Sequence, residues 1–358
     1  MIITRTPYRI SFFGGGSDYP TWLEDHDGAV LATTIDKYCY ISNRYLPPFF
    51  QHRFRVVWSR IEECKTVDEI VHPAVKAVLS AWKFDDGLEI HHEGDLPARS
   101  GIGSSSAFTV GFLNSMLALT GRQSSPSELA KEAIRFEHDV MKESVGRQDQ
   151  ITTAFGGFNK ITFAGDGEFA VNPVSVTPQR LDELNQHLLL VYTGISRTAS
   201  KTAERYVGNL KVQSANIYRM IELVDEAQEI LTSDAPIVEF GRLLNETWRR
   251  KKEISADISN EKIDEIFESA AGAGAVGGKL LGAGAGGFVL IFVSPEQRAT
   301  VIERLSNLIT VPFRFEDKGS QVVFVDPMEK YPTSPAAAAI KLQSGLSAIF
   351  DTRWGSNR

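Results

Sequence analysis

Leu96-Pro97-Ala98-Arg99-Ser100-Gly101-Ile102-Gly103-Ser104-Ser105-Ser106-Ala107 opens an apolar run that ends at Leu119. Nearly every position of that run is apolar or small, which predicts a buried helix over 104–119. The first turn of a helix has unpaired N–H groups and the positive end of the peptide dipole, so it attracts anions such as phosphate. Glycines ahead of it let a ligand approach the backbone closely, and serine hydroxyls add hydrogen bonds or a cation ligand. The same residues also suit a serine-capped core helix behind a flexible loop. The stretch alone leaves both readings open.

Two other glycine-rich elements flank it. Pro7-Tyr8-Arg9-Ile10-Ser11-Phe12-Phe13-Gly14-Gly15-Gly16-Ser17-Asp18-Tyr19-Pro20 reads as a strand running into a turn. Lys279-Leu280-Leu281-Gly282-Ala283-Gly284-Ala285-Gly286-Gly287-Phe288 leads into an apolar strand that ends at Val293. Gly272 to Gly277 matches G-x-G-x-x-G, but it follows a helix and precedes no clear one, the reverse of the dinucleotide-binding context. Gly278-Lys279 lacks the earlier glycine of a P-loop, and Leu280 stands where Ser or Thr is required.

The remaining patterning is that of an α+β chain. Strands are predicted at 2–6, 8–13, 29–45, 54–58, 88–92, 188–192, 288–293, 312–315 and 321–325, with a strand-rich patch over 157–176. Helices are predicted at 67–82, 104–119, 126–142, 198–230, 235–256, 262–271 and 295–308. Ser125 is the expected cap of the third, with Pro126 at its first position. The strand and helix order from 188 onward suggests a split βαβ unit. The tail beyond Pro332 is expected to fray.

With 358 residues, 42% hydrophobic and 23% charged, the chain can bury a core large enough for two domains. The two cysteines, Cys39 and Cys64, form no C-x-x-C pair and suit reduced thiols. A net charge of −7 speaks against a nucleic-acid partner. The N-terminus lacks a signal-peptide pattern, and the longest apolar candidate, 280–293, is interrupted by glycines. A soluble cytoplasmic protein with no membrane partner is the expectation, its oligomeric state left open. An anionic substrate would need a local group of Lys and Arg.

Taken in order, the three glycine elements resemble the motifs of the GHMP kinases, over about 1–326. The resemblance implies a two-domain GHMP kinase fold: an N-terminal domain over 1–185 like the second domain of ribosomal protein S5, and a ferredoxin-like C-terminal domain over 186–330. The tail is 331–358. It also implies an ATP-dependent carbohydrate kinase with its site between the domains, using ATP and Mg2+. Pro97, Ser100, Gly101, Ile102, Gly103, Ser104, Ser105 and Ser106, with Gly284, would hold the nucleotide. Ser105 and Glu137 would hold the metal, Asp149 would be the base, and Arg9 would lie near the transferred phosphate.

Gly14-Gly15-Gly16-Ser17-Asp18-Tyr19 stands where galactokinases have Gly-Glu-His-Thr-Asp-Tyr. With Thr33 to Tyr40 and Val145 to Phe158, that form is similar to the bacterial D-glycero-D-manno-heptose 7-phosphate kinases, and in part to fucokinases. Gly15, Gly16, Ser17 and Asp18 are the implied sugar contacts. A sugar phosphate also needs cations at its far end, for which Arg44, Arg147, Arg197 and Lys201 are candidates, together with Gly194 in the Thr193–Arg197 loop. Other readings are a kinase of fucose, mannose or another heptose, or a non-catalytic sensor of ATP and sugar. Retention of Ser105, Glu137 and Asp149 argues against the sensor.

Overall fold

In a computed structural model of the chain, residues 1–195 and 205–326 are described. The fold is built around two long strands. β1 (Ile2–Phe13) and β2 (Gly28–Tyr45) pair antiparallel along almost their whole length. The single strand β1 covers both short strands predicted at its place. The outer half of β2 pairs with β5 (Leu88–Gly94), which carries β3 (Phe54–Val57) and then β4 (Ile61–Cys64). Its inner half pairs with β6 (Phe158–Phe163), followed by β7 (Phe169–Pro173). The helix α3 (Ser104–Leu119) crosses this nine-stranded sheet with Phe108, Val110, Phe112, Leu113 and Met116 all buried. Its approach is close: Thr4 Oγ1 donates to Gly111 O at 3.0 Å.

The second sheet has the order β11-β8-β10-β9, all antiparallel: Ile309–Val311, Leu188–Tyr192, Phe288–Val293 and Ala275–Leu280. With helices between β8 and β9 and again between β10 and β11, this is the arrangement expected of a split βαβ unit. The intervening helices are α7 (Ser214–Thr232), α8 (Val238–Ile254), α9 (Glu261–Gly272) and α10 (Pro295–Arg304). β9 was not predicted. Gly277 and Gly278 hide the strand pattern, yet Gly277 is what lets α8 pack closely, since a Cβ there would lie 2.1 Å from Gly241 O.

Three differences from expectation matter for the site. The segment predicted as helix 126–142 is α4 (Pro126–Arg135), opened by a Ser125–Glu128 capping box, and then a π-turn over Phe136–Val140. Residues 148–155, where no element is predicted, form α5 (Gln148–Phe155). A division at 185/186 also does not follow the strands, because β12 (Phe315–Glu316) and β13 (Gln321–Val325) return to β2 and β1 of the first sheet. An unpredicted helix, α6 (Pro178–His187), capped by Thr177, links the two sheets. No helix among the described residues is long and apolar enough to cross a membrane.

Candidate active site

Arg9 is the hub. On β1 its backbone N–H donates to Ile102 O at 3.0 Å, and its Nη1 donates to Gly101 O at 2.7 Å. Its Nε and Nη2 both lie 2.6 Å from Asp149 Oδ1. Asp149 is in the first turn of α5, where the helix dipole favours a carboxylate. The pair leaves Asp149 Oδ2 free for another partner. Gly103, the cap of α3 with φ 70°, sits directly over the pair; a Cβ on it would be 3.0 Å from Arg9 Cγ and 3.4 Å from Asp149 Oδ2.

The carbonyls of the loop are turned into the protein. Ser100 O accepts from Phe288 N at 3.1 Å, while Gly101 O and Ile102 O are held by Arg9. Gly287 lies against the same loop, since its Cβ would fall 2.1 Å from Ser100 O. The loop contact of the late glycine element is thus made by Gly287. Gly284, expected at the nucleotide, packs against Ile258 instead. Pro97 O accepts the Ser100 hydroxyl at 2.6 Å, and Ser104 Oγ accepts Arg99 N at 3.0 Å, so both serines stiffen the loop.

Glu137, in the π-turn, is fully buried. Ser106 Oγ donates to its Oε2 at 2.9 Å and Gln150 Nε2 donates to the same oxygen, while Oε1 has no partner. Burial first, then the neighbouring Glu143 carboxylate, pushes its pKa up to about 8, only partly opposed by nearby donors. Ser106, which sequence reasoning placed only in the loop, is the serine bonded to this carboxylate. Ser105 is exposed in the first turn of α3. An orphaned buried carboxylate oxygen beside a helix N-terminus fits a cation. Among the described residues, no group of three or more His, Cys, Asp or Glu converges as a metal site, so a cation here would take most of its oxygens from phosphates and water, as magnesium does.

The glycine turn lies on the other side of Arg9. Ser17 is fully buried, its hydroxyl donating toward Gly14 O and Ala29 O and accepting from Ala29 N. Its hydroxyl, expected at the sugar, closes the turn on backbone groups. Asp18 is buried too, accepting from Gly16 N at 3.0 Å and Gln148 N at 3.2 Å. Burial raises its pKa, the Gly16 N–H opposes this, and the Asp149 charge adds to it. Asp18 therefore pins α5 to the turn, where a sugar contact was expected. Gly16 is packed under Tyr206, whose hydroxyl donates to Gly15 O at 3.1 Å, and Gly15 remains partly open.

The expected cations are dispersed. Arg44, at the far end of β2, is paired with the buried Glu89 at 2.5 Å. Glu89 also holds Arg55 and His91, so Arg44 is committed away from Asp149. Arg147 N donates to Asp18 O at 3.1 Å, and its Nε and Nη1 are buried without partners, beside Gly167. Arg197 and Lys201 lie outside the described residues. Gly194 is exposed just after Thr193, which bonds Gly287 O through its N–H and hydroxyl.

Lys279 was missed. Its Nζ donates to Ser11 O at 2.8 Å and Phe12 O at 2.7 Å. These carbonyls flank a bulge at Phe12, where the ladder to β2 skips a residue. Burial, then Lys251 and Arg9, lowers its pKa well below the usual lysine range, with Asp18 acting in the opposite sense. Only a strand assignment for 275–280 would have drawn attention to it.

The profile of GHMP kinases, N terminal domain, matches residues 69–157, and that of GHMP kinases, C terminal, matches 220–309. Together they span half of the chain. The protein belongs to the GHMP kinases. It is accordingly an ATP-dependent carbohydrate kinase, a phosphotransferase with an alcohol acceptor. A D-glycero-alpha-D-manno-heptose 7-phosphate kinase of Campylobacter jejuni is 28% identical over 323 residues, 85% of this chain and 93% of that one. A bifunctional fucokinase/GDP-fucose pyrophosphorylase of Arabidopsis thaliana is 30% identical over 82% of this chain and 30% of its own length. A solved D-glycero-D-manno-heptose 1-phosphate kinase from Bacteroides thetaiotaomicron superposes with a TM-score of 0.75 at 23% identity. It covers 91% of this chain, and all of its own length is matched. That likeness bears on the fold.

Proposed function

We propose that this GHMP kinase transfers the γ-phosphoryl group of ATP to the anomeric hydroxyl of a heptose phosphate, converting D-glycero-D-manno-heptose 7-phosphate to the 1,7-bisphosphate for nucleotide-activated heptose and surface polysaccharide. The observation that carries the chemistry is the Arg9–Asp149 pair set under the Gly101–Ser106 loop. The heptose assignment is supported by the Campylobacter jejuni relative, which matches over most of both chains.

In this reading the N–H groups at the start of α3 receive the phosphates of ATP. Asp149 Oδ2 accepts the proton of the attacking hydroxyl, while Arg9 holds Oδ1 and keeps the carboxylate oriented toward the acceptor. Ser105 and Glu137 would hold magnesium, which when bound neutralises charge on the phosphates. Glu137 must lose its proton to do so. Arg147, with two unpartnered guanidinium nitrogens, is the described cation best suited to the acceptor's own phosphate.

The test is ADP release across heptose 7-phosphate, free heptose, fucose, mannose and mevalonate, with the product's phosphate positions read by 31P NMR. The heptose phosphate is expected to give the highest kcat/KM and a new anomeric phosphate. Faster turnover of any unphosphorylated acceptor overturns the heptose phosphate assignment, and ADP release with none of them overturns the kinase reading on sugars.

A further inference from the structure

Two buried polar side chains beside the Arg9–Asp149 pair have chemistry that the fold does not use. Ser11 is two residues beyond Arg9 on β1, and no bulge separates them, so both side chains leave the strand on the same face. Gln148 directly precedes Asp149 at the start of α5. They converge on Gly15: a Cβ placed there would lie 3.6 Å from Ser11 Oγ and 3.6 Å from Gln148 Nε2. Ser11 is 5% exposed and Gln148 is 7% exposed. Yet Ser11 Oγ and Gln148 Oε1 both lack any hydrogen-bond partner. A buried polar atom without a partner is a standing cost to the fold. The turn residues expected to contact the acceptor, Ser17 and Asp18, are by contrast hydrogen-bonded to backbone groups.

We infer that Ser11 and Gln148 are specificity-determining residues, which bind the acceptor hydroxyl on the carbon next to the one that receives the phosphoryl group. The assignment rests on the sugar-kinase reading above and extends it to the acceptor's second hydroxyl. The chemistry of the two atoms defines the ligand. Ser11 Oγ both donates and accepts, and the Gln148 Nε2 that faces Gly15 beside it donates, so the pair matches one neutral hydroxyl acting as donor and acceptor. Neither suits a phosphate, which needs cations or several donors. A Cβ on Gly15 would occupy the space 3.6 Å from both Ser11 Oγ and Gln148 Nε2 that the hydroxyl would use. Gln148 is kept in place from behind by Asp18, which accepts its backbone N–H at 3.2 Å. Both residues flank the catalytic pair in sequence, so a hydroxyl they hold is fixed relative to Asp149.

The experiment uses Ser11→Ala and Gln148→Met in the full chain, with whichever sugar or sugar phosphate the parent phosphorylates fastest. A matched analogue lacks only the hydroxyl beside the phosphorylated carbon. A site built around a hydroxyl rejects the deoxy analogue, so the parent should lose roughly ten- to hundredfold in kcat/KM on that analogue. Each variant should lose a similar factor on the normal sugar and almost nothing more on the analogue, with the KM for ATP and the thermal midpoint close to the parent's. An undiminished penalty in both variants overturns the inference, as does an equal rise in the KM for ATP, which would place the residues with the loop. If a sugar other than heptose 7-phosphate proves best, the heptose reading fails while the same comparison on that sugar still decides this one. A parent that prefers mevalonate, which has no vicinal hydroxyl, overturns both.

Discussion

The buried carboxylate of Glu137 makes stability and metal binding depend on pH in a defined direction. Its pKa in the fold is about 8, against 4.5 for an ordinary glutamate. Below pH 4.5 the side chain is neutral in folded and unfolded chains alike, and its contribution to stability is fully present. Between 4.5 and 8 the folded protein retains a proton that the unfolded chain has released, so stability falls as pH rises. The loss accumulates to on the order of 4 kcal/mol by pH 8, taking about 1.4 kcal/mol for each pH unit between the two values. Glu137→Gln removes the ionisation and keeps the shape. Urea unfolding at pH 5, 6, 7 and 8 in the presence of EDTA should show the variant close to the parent at pH 5 and more stable by a few kcal/mol at pH 8. Titrating groups other than the coupled neighbour Glu143 cancel in the difference. Binding of magnesium with ADP at pH 7 should release about one proton more from the parent than from the variant, read from the buffer dependence of the calorimetric heat. A stability difference that stays flat from pH 5 to 8 would refute the reasoning, since it would mean that the carboxylate is hydrated or paired in the fold.

Asp149→Asn should lower turnover on the order of 100-fold or more while leaving nucleotide affinity intact, and normal ADP release would remove Asp149 as the base. Gly146→Ala would place a Cβ 1.9 Å from Asp18 Oδ2. The carboxylate would have to move off Gln148 N, costing about 1–3 kcal/mol in urea unfolding and raising the acceptor KM; unchanged stability would show that the turn yields freely. Arg44→Ala should leave the acceptor KM untouched, because Arg44 is bound to Glu89 and not to the site. A clear rise in that KM would return Arg44 to the substrate.

The helix at 104–119 was legible to the residue, because a run of mostly apolar and small residues leaves a helix little exposed face and so buries most of it. β10 and β13 were equally clear. What the sequence did not disclose is which polar residues would be spent inside the fold. Ser17 and Asp18 have the composition of a ligand-binding turn, but a turn this tight consumes its own side chains to satisfy its backbone. Ser11 and Gln148 lie within quoted stretches, but nothing in the sequence separates them from the structural polar residues around them. Their unpartnered state follows from β1 and α5 meeting at Gly15, a long-range contact that no local pattern encodes. Lys279 was hidden for a similar reason: two glycines before it masked the strand, and its partners are carbonyls at a bulge some 270 residues away in the chain.

The spacing of the three glycine elements has one physical explanation in the carbonyls of residues 100–102. A loop that is to bind phosphate must turn its N–H groups toward the ligand, so its carbonyls face the protein and need donors there. Here those donors come from both sheets. Arg9 supplies its backbone N–H and a guanidinium nitrogen from β1, and Phe288 supplies its N–H from β10. Each donor has to come within hydrogen-bond distance of a backbone, which requires small residues at the points of contact: Gly103 over Arg9, and Gly287 against Ser100. The first and last elements therefore serve the central one by donating to its carbonyls. The arginine that does this for two carbonyls also holds Asp149 Oδ1, so the loop and the proposed base are oriented by the same residue.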